Sequence, residues 1–320
     1  MDNSMFFVHD VPYCLWEVDL RQRNMQFLDG INTDYFDYLI DVHIQASDKK
    51  NSSIALRTSL HHSIETLFSL IGGFFQAPDC IYAWIAKCSN NNLRDLIKKI
   101  NESPKKWFNK LKLNSVSWEA IAKAVFQCYV PNTEKNKQTV TQFCHLWKRL
   151  ANDFLDQDHI DEYNSIKHGF RIRSGGFALA VGLEHKEGVA PPPEEMKLLT
   201  NSEFGTSFFK IEQIGNGKDN RSVRSRAITL NWTIEKTILM TQLVSMSIKN
   251  VTSALKILNG IKPSECKFLR PVNDSDFEKP WHFSPSISSC TFDFMIPEDN
   301  IVSVTKKMIY EEFNKMKDVS

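Results

Sequence analysis

Residues 53–75, SIALRTSLHHSIETLFSLIGGFF, decide the fold class of this chain. Apolar side chains recur there at the three- and four-residue spacing of one helix face, at Leu56, Leu60, Ile64, Leu67 and Ile71. Pro78 follows shortly and is expected to stop the helix, because proline cannot continue one. The pattern predicts the strongest helix of the chain.

Helical and extended patterns alternate outward from this segment. Further helices are expected near 81–87, 93–100, 117–129, 140–154 and 159–169, with a long helix over 233–258 and a last one over 301–316. A hairpin is expected from strands at 13–20 and 25–28. A second short hairpin is expected from 170–173 and 177–181, with further strands at 207–214, 225–232 and 288–295.

These elements predict a mainly α architecture, a helical bundle with a small antiparallel β insertion, which is α+β overall. We expect an N-terminal β hairpin over residues 1–32 and a helical body over 33–169. A β-rich insertion would occupy 170–232, and helices with a short strand would follow over 233–320, packed on the same body.

The overall composition excludes several classes of protein. The 39 Lys and Arg against 38 Asp and Glu give a net charge of +1, so a globally basic nucleic-acid binder is excluded and only local patches remain. The seven cysteines include no Cys-x-x-Cys pair, which disfavours a disulfide framework or a zinc ribbon and suits a reducing cytoplasm. No membrane contact is expected, because the most apolar stretch, 67–75, is too short to span a bilayer.

The last helix predicted before the β insertion ends in a dense polar group. Asn164 and His168 are four residues apart and share a helix face, directed away from the apolar side. Lys167 and Arg171 flank them, and Arg173 adds another cation. Histidine exchanges protons near neutral pH, and cations beside it could hold a phosphate. The alternative is an ordinary helix C-terminus, where Lys and His complement the helix dipole.

The run Tyr163-Asn164-x-x-Lys167-His168-Gly169 resembles the signature region of HEPN-domain proteins. The motif of that superfamily is an Arg, commonly followed by Asn, Asp or His, then three residues and a His. Asn164 matches the polar position and His168 matches the histidine, whereas Tyr163 stands at the arginine position. Lys167 or Arg171 would then supply the cation.

The resemblance implies an α-helical bundle, often a dimer, and a metal-independent ribonuclease of a toxin–antitoxin, abortive-infection or other phage-defence system. It implies RNA as substrate, no metal or other cofactor, a homodimer, and an antitoxin or regulatory protein as partner. His168 would be the acid or base for attack of a 2′-hydroxyl on phosphorus, Asn164 would position it, and Lys167 and Arg171 would stabilise the phosphorane. The alternative is a catalytically inactive scaffold that binds RNA or a protein, which Tyr163 favours.

A second polar constellation lies on the strongest helix. Arg57 falls inside the apolar arc, where a charge should be paired, and His61 and Glu65 lie at its edge. Arg57 and His62 also have the Arg-to-His spacing of the same superfamily motif. These residues would form either a buried structural ion pair or the second wall of the His168 site.

Basic runs with aromatic residues are candidates for RNA binding. The first contains Lys105, Lys106, Trp107 and Lys110, in which lysines would bind phosphates and the tryptophan would stack on bases. The second contains Lys218, Arg221, Arg224 and Arg226. Both could instead be solvated surface.

Other enzyme classes lack their signatures. The segment Gly215-Asn216-Gly217-Lys218 is not a complete P-loop, and there is no Gly-x-Ser-x-Gly, His-Glu-x-x-His or dinucleotide fingerprint. The acidic stretch 153–162 does not match a calcium loop. Nucleotide hydrolysis, serine hydrolysis and metal-dependent proteolysis are therefore disfavoured.

Overall fold

The computed structural model describes residues 1–129, 133–292 and 301–317. Helices make up 53% and strands 17%, and the strands form several small antiparallel sheets. The fold is therefore a mixed α+β one in which helix predominates. The chain divides into two units, the first comprising Met1–Ile160 and Thr233–Ser284 and the second Asp161–Trp232 and Pro285–Ser320.

The first unit is a hairpin followed by helices. In the hairpin, β1 (Asp2–Val8) pairs antiparallel with β2 (Val11–Glu17). The helices are α1 (Leu20–Gly30), α2 (Tyr35–Gln45), α3 (Lys49–Gln76), α4 (Ile81–Lys87), α5 (Asn90–Asn101), α6 (Trp118–Val125) and α7 (Glu134–Leu155). Next, α8 (Gln157–Lys167) begins in the first unit and ends in the second, and α9 (Ile234–Leu258) and α10 (Lys279–His282) return to the first. The helices expected from the sequence in these regions are confirmed, although several ends differ.

The core of the first unit is built around α3. Its N-terminus is capped by Asp48, whose carboxylate accepts a hydrogen bond from the Asn51 amide at 3.0 Å. The predicted apolar face is buried throughout, and α9 packs along it. Thr233 caps α9 in the same manner, which fixes where this long helix starts.

The two longest stretches of core, α3 and α4, meet at a glycine. A Cβ added to Gly72 would lie 2.3 Å from Cη2 and 2.6 Å from Cζ2 of the Trp84 ring. Trp84 is fully buried, and its Nε1 donates a hydrogen bond to Gln76 Oε1 at 3.1 Å. Only a residue without a side chain leaves room for the indole here.

Gly72→Ala is expected to destabilise the protein by about 1–3 kcal/mol, because overpacking of a filled core costs that amount. The better helix propensity of alanine offsets at most about 1 kcal/mol. Urea unfolding measures the difference. The control is Gly30→Ala, where an added Cβ meets nothing within 4 Å. A Gly72→Ala protein as stable as wild type would contradict this account of the packing.

The predicted N-terminal hairpin is wrong in its second half. The turn lies at His9 and Asp10 rather than at 21–24, and residues 25–28 belong to α1. The physical reason is a helix cap, because the Asp19 carboxylate accepts a hydrogen bond from the Gln22 amide at 2.9 Å. Leu28 is then buried as one residue of a helix face.

The second unit contains three-dimensionally distinct sheets and a final helix. A four-stranded sheet has the order β3 (Ile172–Ser174), β6 (Gly205–Gln213), β7 (Val223–Asn231), β8 (Ser289–Phe292). A two-stranded sheet pairs β4 (Ala178–Val181) with β5 (Lys197–Asn201). The last helix is α11 (Lys306–Lys317).

The predicted pairing of 170–173 with 177–181 is wrong. Strand β3 pairs instead with β6, and β4 pairs with β5. The β6–β7 pair is confirmed, with Gly205 opposite Asn231 and Gln213 opposite Val223. Of the predicted strand 288–295, residues 289–292 are confirmed as β8, and 293–295 lie outside the described residues.

Candidate functional site

The C-terminal end of α8 forms an abrupt turn that displays His168. Gly169 adopts φ +94° and Phe170 φ +50°, so the backbone leaves the helix through the left-handed region. The Phe170 amide donates to the Ile166 carbonyl at 3.3 Å, and the Arg171 amide donates to the Ser165 carbonyl at 2.7 Å. These hydrogen bonds satisfy the last helix carbonyls and fix the direction in which the chain continues to β3.

The side chains around this turn form an exposed cationic surface. His168, Lys167, Arg171 and Arg173 are all exposed, and Asn164 is half-buried. Their exposure confirms that the polar group points away from the apolar side of α8, on which Ile166 is buried. Among the described residues, Arg171 and Arg173 form no ion pair with a carboxylate. We refer to His168, Lys167, Arg171 and Arg173 as the α8 cationic end.

Tyr163 occupies the position one turn before Lys167. The Lys167 ammonium lies 5.2 Å from the centroid of the Tyr163 ring, a cation–π contact that holds the lysine beside the helix. The ring is half-buried. This contact directs one cation of the α8 cationic end without a carboxylate partner being drawn from the sheet.

Behind this surface, α8 is fixed to the sheet by buried polar contacts. The Glu162 carboxylate is fully buried and accepts hydrogen bonds from Thr206 Oγ1 at 2.5 Å and Trp232 Nε1 at 3.2 Å. The Asp161 carboxylate lies 3.1 Å from the Lys210 ammonium. The α8 cationic end therefore projects from a helix whose rotation is set by β6.

The charges on β6 and β7 largely neutralise one another. Burial alone would lower the pKa of the Lys210 ammonium, but Asp161 and Glu212 raise it above its ordinary value. The Glu212 carboxylate is 3.3 Å from Arg224 and 3.4 Å from Arg226. Two of the four residues in the second predicted basic cluster are thus committed to an ion-pair network.

The polar strip on α3 lies in the first unit. Arg57 is 6% exposed, His61 and Glu65 are half-buried, and His62 is exposed. The burial of Arg57 confirms the prediction from the helical wheel, and each of Arg57, His61 and Glu65 has an interaction partner. The residues of the α8 cationic end belong to the second unit, so the proposed second wall stays a prediction.

Residues from other helices extend this strip. The His61 ring centroid lies 6.2 Å from that of His159 in an edge-to-face arrangement. Nδ1 of His159 is 3.1 Å from the Asp153 carbonyl oxygen. His62 faces elsewhere, with its ring 5.6 Å from that of Phe36. The two adjacent histidines of α3 therefore have different surroundings.

Lys236 is a charged residue that sequence reasoning missed. Burial lowers its pKa below the ordinary value, Asp153 opposes that shift, and Arg57 and Arg149 add to it. Its Nζ donates a hydrogen bond to Ser284 Oγ at 3.0 Å. A sequence signal existed, because Lys236 stands in the first turn of α9, where the helix dipole disfavours a cation.

The first basic run is partly structural, which corrects its prediction as an RNA-binding surface. Trp107 is only 7% exposed, and its Nε1 donates to Asp10 at 2.8 Å, so this ring is not presented for base stacking. Burial alone would raise the pKa of Asp10, but hydrogen bonds from Lys99 and Trp107 hold it below its ordinary value. Trp107 was favoured as a stacking residue only because it stood among lysines.

The remaining lysines of that run divide into two groups. Lys110 lies 2.6 Å from the Asp79 carboxylate and also donates to Ser4 Oγ at 2.6 Å, so its charge is used within the first unit. Lys105 and Lys106 are exposed. Their role in binding RNA stays a prediction.

Searches for metal ligands and membrane spans return negative findings for the described residues. In residues 1–129, 133–292 and 301–317, no group of three or more His, Cys, Asp and Glu side chains is placed to hold a metal ion. Across the same part of the chain, no helix is long and apolar enough to cross a membrane. The candidate chemistry is therefore that of the side chains themselves.

Comparisons with known proteins complete the description. No protein-family model, no curated protein and no solved structure matches this chain. Inferences about its function consequently rest on its own residues and on the geometry given above.

Proposed function

We propose that this protein is a metal-independent endoribonuclease in which His168 is the reacting side chain. The observation that carries the proposal is the exposure of an imidazole at the end of α8 between the cations Lys167 and Arg171. The likeness of 163–169 to the HEPN signature adds to it, and with it we propose that the helical part of the fold is a HEPN-like bundle.

The proposed reaction needs no group from outside the protein and the RNA. The ribose 2′-oxygen attacks the adjacent phosphorus, the bond from phosphorus to the 5′-oxygen breaks, and the products are a 2′,3′-cyclic phosphate and a 5′-hydroxyl. His168 takes the proton from the 2′-hydroxyl or delivers one to the leaving 5′-oxygen. Arg171 and Lys167 stabilise the charge that accumulates on the phosphorane oxygens, and Asn164 positions His168 or the phosphate.

One His168 provides one of the two proton transfers. We propose a homodimer in which two α8 helices contribute to one composite site, so that each transfer has its own imidazole. The proposed setting is the cytoplasm, with the protein acting as a bacterial toxin or phage-defence effector under an antitoxin or regulatory protein. This setting derives from the resemblance alone.

A second candidate function is supported by a specific observation. Tyr163 stands where the HEPN motif has its arginine, and its ring is occupied by the Lys167 ammonium at 5.2 Å. A protein that had lost catalysis but kept its cations would bind RNA or a protein partner as a helical scaffold. Binding of RNA without cleavage would favour this candidate.

The proposal predicts cleavage that depends on the 2′-hydroxyl and not on metal. Purified protein is incubated in excess EDTA with an RNA oligonucleotide and with the same sequence carrying 2′-O-methyl riboses. The RNA should be cut to products with cyclic phosphate ends, and the methylated oligonucleotide should be bound but left intact. Cleavage of the methylated substrate, or a requirement for added metal, would contradict the mechanism.

A further inference from the structure

The loop between β6 and β7 and the start of α11 line a groove of about 650 Å³ in the second unit. Tyr310, Lys306 and Lys307 form one wall, and Asp219 of the loop lies opposite. We call this the α11 groove. None of its residues belongs to the α8 cationic end, so it is a separate surface.

The loop is held against the segment before α11 by backbone hydrogen bonds. The Arg221 amide donates to the Val304 carbonyl at 2.7 Å, and Asn220 forms an antiparallel bridge with Thr305. Asn220 is 3% exposed, and its side-chain Nδ2 donates to the Ile214 carbonyl at 2.5 Å. This loop is therefore anchored from inside, and its charged side chains project from a fixed backbone.

The charge of the groove is an excess of cations. Lys218, Arg221, Lys306 and Lys307 are all exposed, against the acids Asp219 and Glu311. Of these cations, Lys307 alone has a carboxylate within 4 Å in the part of the chain that the structure describes, Glu311 at 3.7 Å. Arg224 and Arg226 of the same predicted cluster differ, since Glu212 neutralises them.

Aromatic rings stand among these cations. Tyr310 is 59% exposed and Phe313, one helical turn later, is 60% exposed. The Lys306 ammonium lies 5.6 Å from the Tyr310 ring centroid. Exposed rings beside cations are the combination by which proteins hold single-stranded nucleic acid, with phosphates on the cations and bases on the rings.

The position of the groove along the sheet relates it to the α8 cationic end. Strand β3, which carries Arg173, pairs with β6 opposite Ser207. The groove lies beyond the far end of β6, after Gln213, which at about 3.3 Å per residue is roughly 20 Å along the strand. A distance of this order falls within a binding site of several nucleotides.

We propose that the α11 groove is a second RNA-binding site, which holds a single-stranded segment of the RNA whose phosphate is cleaved at the α8 cationic end. The inference rests on the proposed function for the identity of the ligand. Its phosphates contact Lys218, Arg221, Lys306 and Lys307, and a base stacks on Tyr310.

The test measures binding of a fluorescein-labelled, unstructured 20-nucleotide RNA with 2′-O-methyl riboses in EDTA, which separates binding from cleavage. Two variants probe the groove, the double substitution Lys306→Ala/Lys307→Ala and the single substitution Tyr310→Ala. The matched control is Lys49→Ala/Lys50→Ala, an exposed lysine pair in the first turn of α3. Circular dichroism confirms that each variant is folded.

The lysine variant should weaken binding by roughly tenfold and reduce the salt dependence of log Kd by about 1.4, or 0.7 for each lost phosphate contact to a single strand. Tyr310→Ala should weaken binding by about 5- to 100-fold, the range for loss of one stacked base. The control should bind as wild type. With the cleavable RNA, both groove variants should raise KM and leave the single-turnover rate at saturation unchanged.

The outcomes distinguish this inference from the proposed function. Groove variants that bind as tightly as wild type overturn the inference, whether or not RNA is cleaved. Weakened binding in these variants by a protein that cuts no RNA supports the groove and contradicts the nuclease. Poly-glutamate that binds as tightly as the RNA overturns the inference in favour of an acidic protein partner.

Discussion

His168→Ala is expected to lower the rate of RNA cleavage in EDTA by about 10²- to 10⁴-fold, the contribution that a positioned general acid or base makes. The reason is that the proposed reaction moves two protons, and the described part of the α8 cationic end offers only one side chain that exchanges protons near neutral pH. Lysine and arginine remain charged there and can stabilise the phosphorane without transferring its protons. Single-turnover cleavage of the labelled RNA measures the loss.

The controls separate proton transfer from binding and folding. His145→Ala changes an exposed histidine on α7 and should cleave at the wild-type rate. His168→Gln keeps a polar side chain of similar reach, so it should bind the 2′-O-methyl oligonucleotide as wild type while cleaving as poorly as His168→Ala. A His168→Ala protein that cleaves at the wild-type rate excludes this residue from the chemistry and leaves RNA binding as the surviving proposal.

Glu162→Ala is expected to destabilise the second unit by about 3–5 kcal/mol, the cost of removing one member of a buried polar network. The substitution leaves the Thr206 hydroxyl and the Trp232 indole N–H without their acceptor, and both are buried. Glu162→Gln keeps one acceptor oxygen and should cost less. Amide hydrogen exchange measures the effect locally, and protection should fall in β6 and β7 while α3 is unchanged.

The comparison with α3 is what makes this prediction specific. A general loss of stability would lower protection in both units, whereas loss of the Glu162 contacts acts on the sheet that they hold to α8. Unchanged exchange in β6 and β7 of Glu162→Ala would show that the buried carboxylate contributes no net stability. In that case, its hydrogen bonds only offset the cost of removing the charge from water.

Local patterns of the sequence were sufficient for the helices and insufficient for strand partners. The apolar repeats of α3 and α9 specify a helix and the face that it buries, because both properties depend on residues three and four apart. The pairing of β3 with β6 joins segments separated by β4 and β5, and no residue in either strand encodes its partner. A neighbour in sequence was therefore taken, incorrectly, as the partner.

The candidate site divides along similar lines. The display of His168 was predictable, because a helix wheel and a glycine define the end of α8. The burial of Trp107 was not, because it depends on Asp10 from the β1–β2 turn, distant in sequence. The α11 groove escaped prediction for the same reason, since Lys218 and Lys306 become neighbours only through the bridge between Asn220 and Thr305.

The order of segments along the chain has a consequence during protein synthesis. The apolar face of α3 is covered by α9, and the ribosome makes all of Asp161–Trp232 between the first segment of that unit and α9. At 5–20 residues per second, this interval lasts roughly 4–14 s. Nascent chains therefore carry an uncovered α3 for seconds, long enough for a chaperone to bind it or for neighbouring chains on one messenger RNA to associate through it.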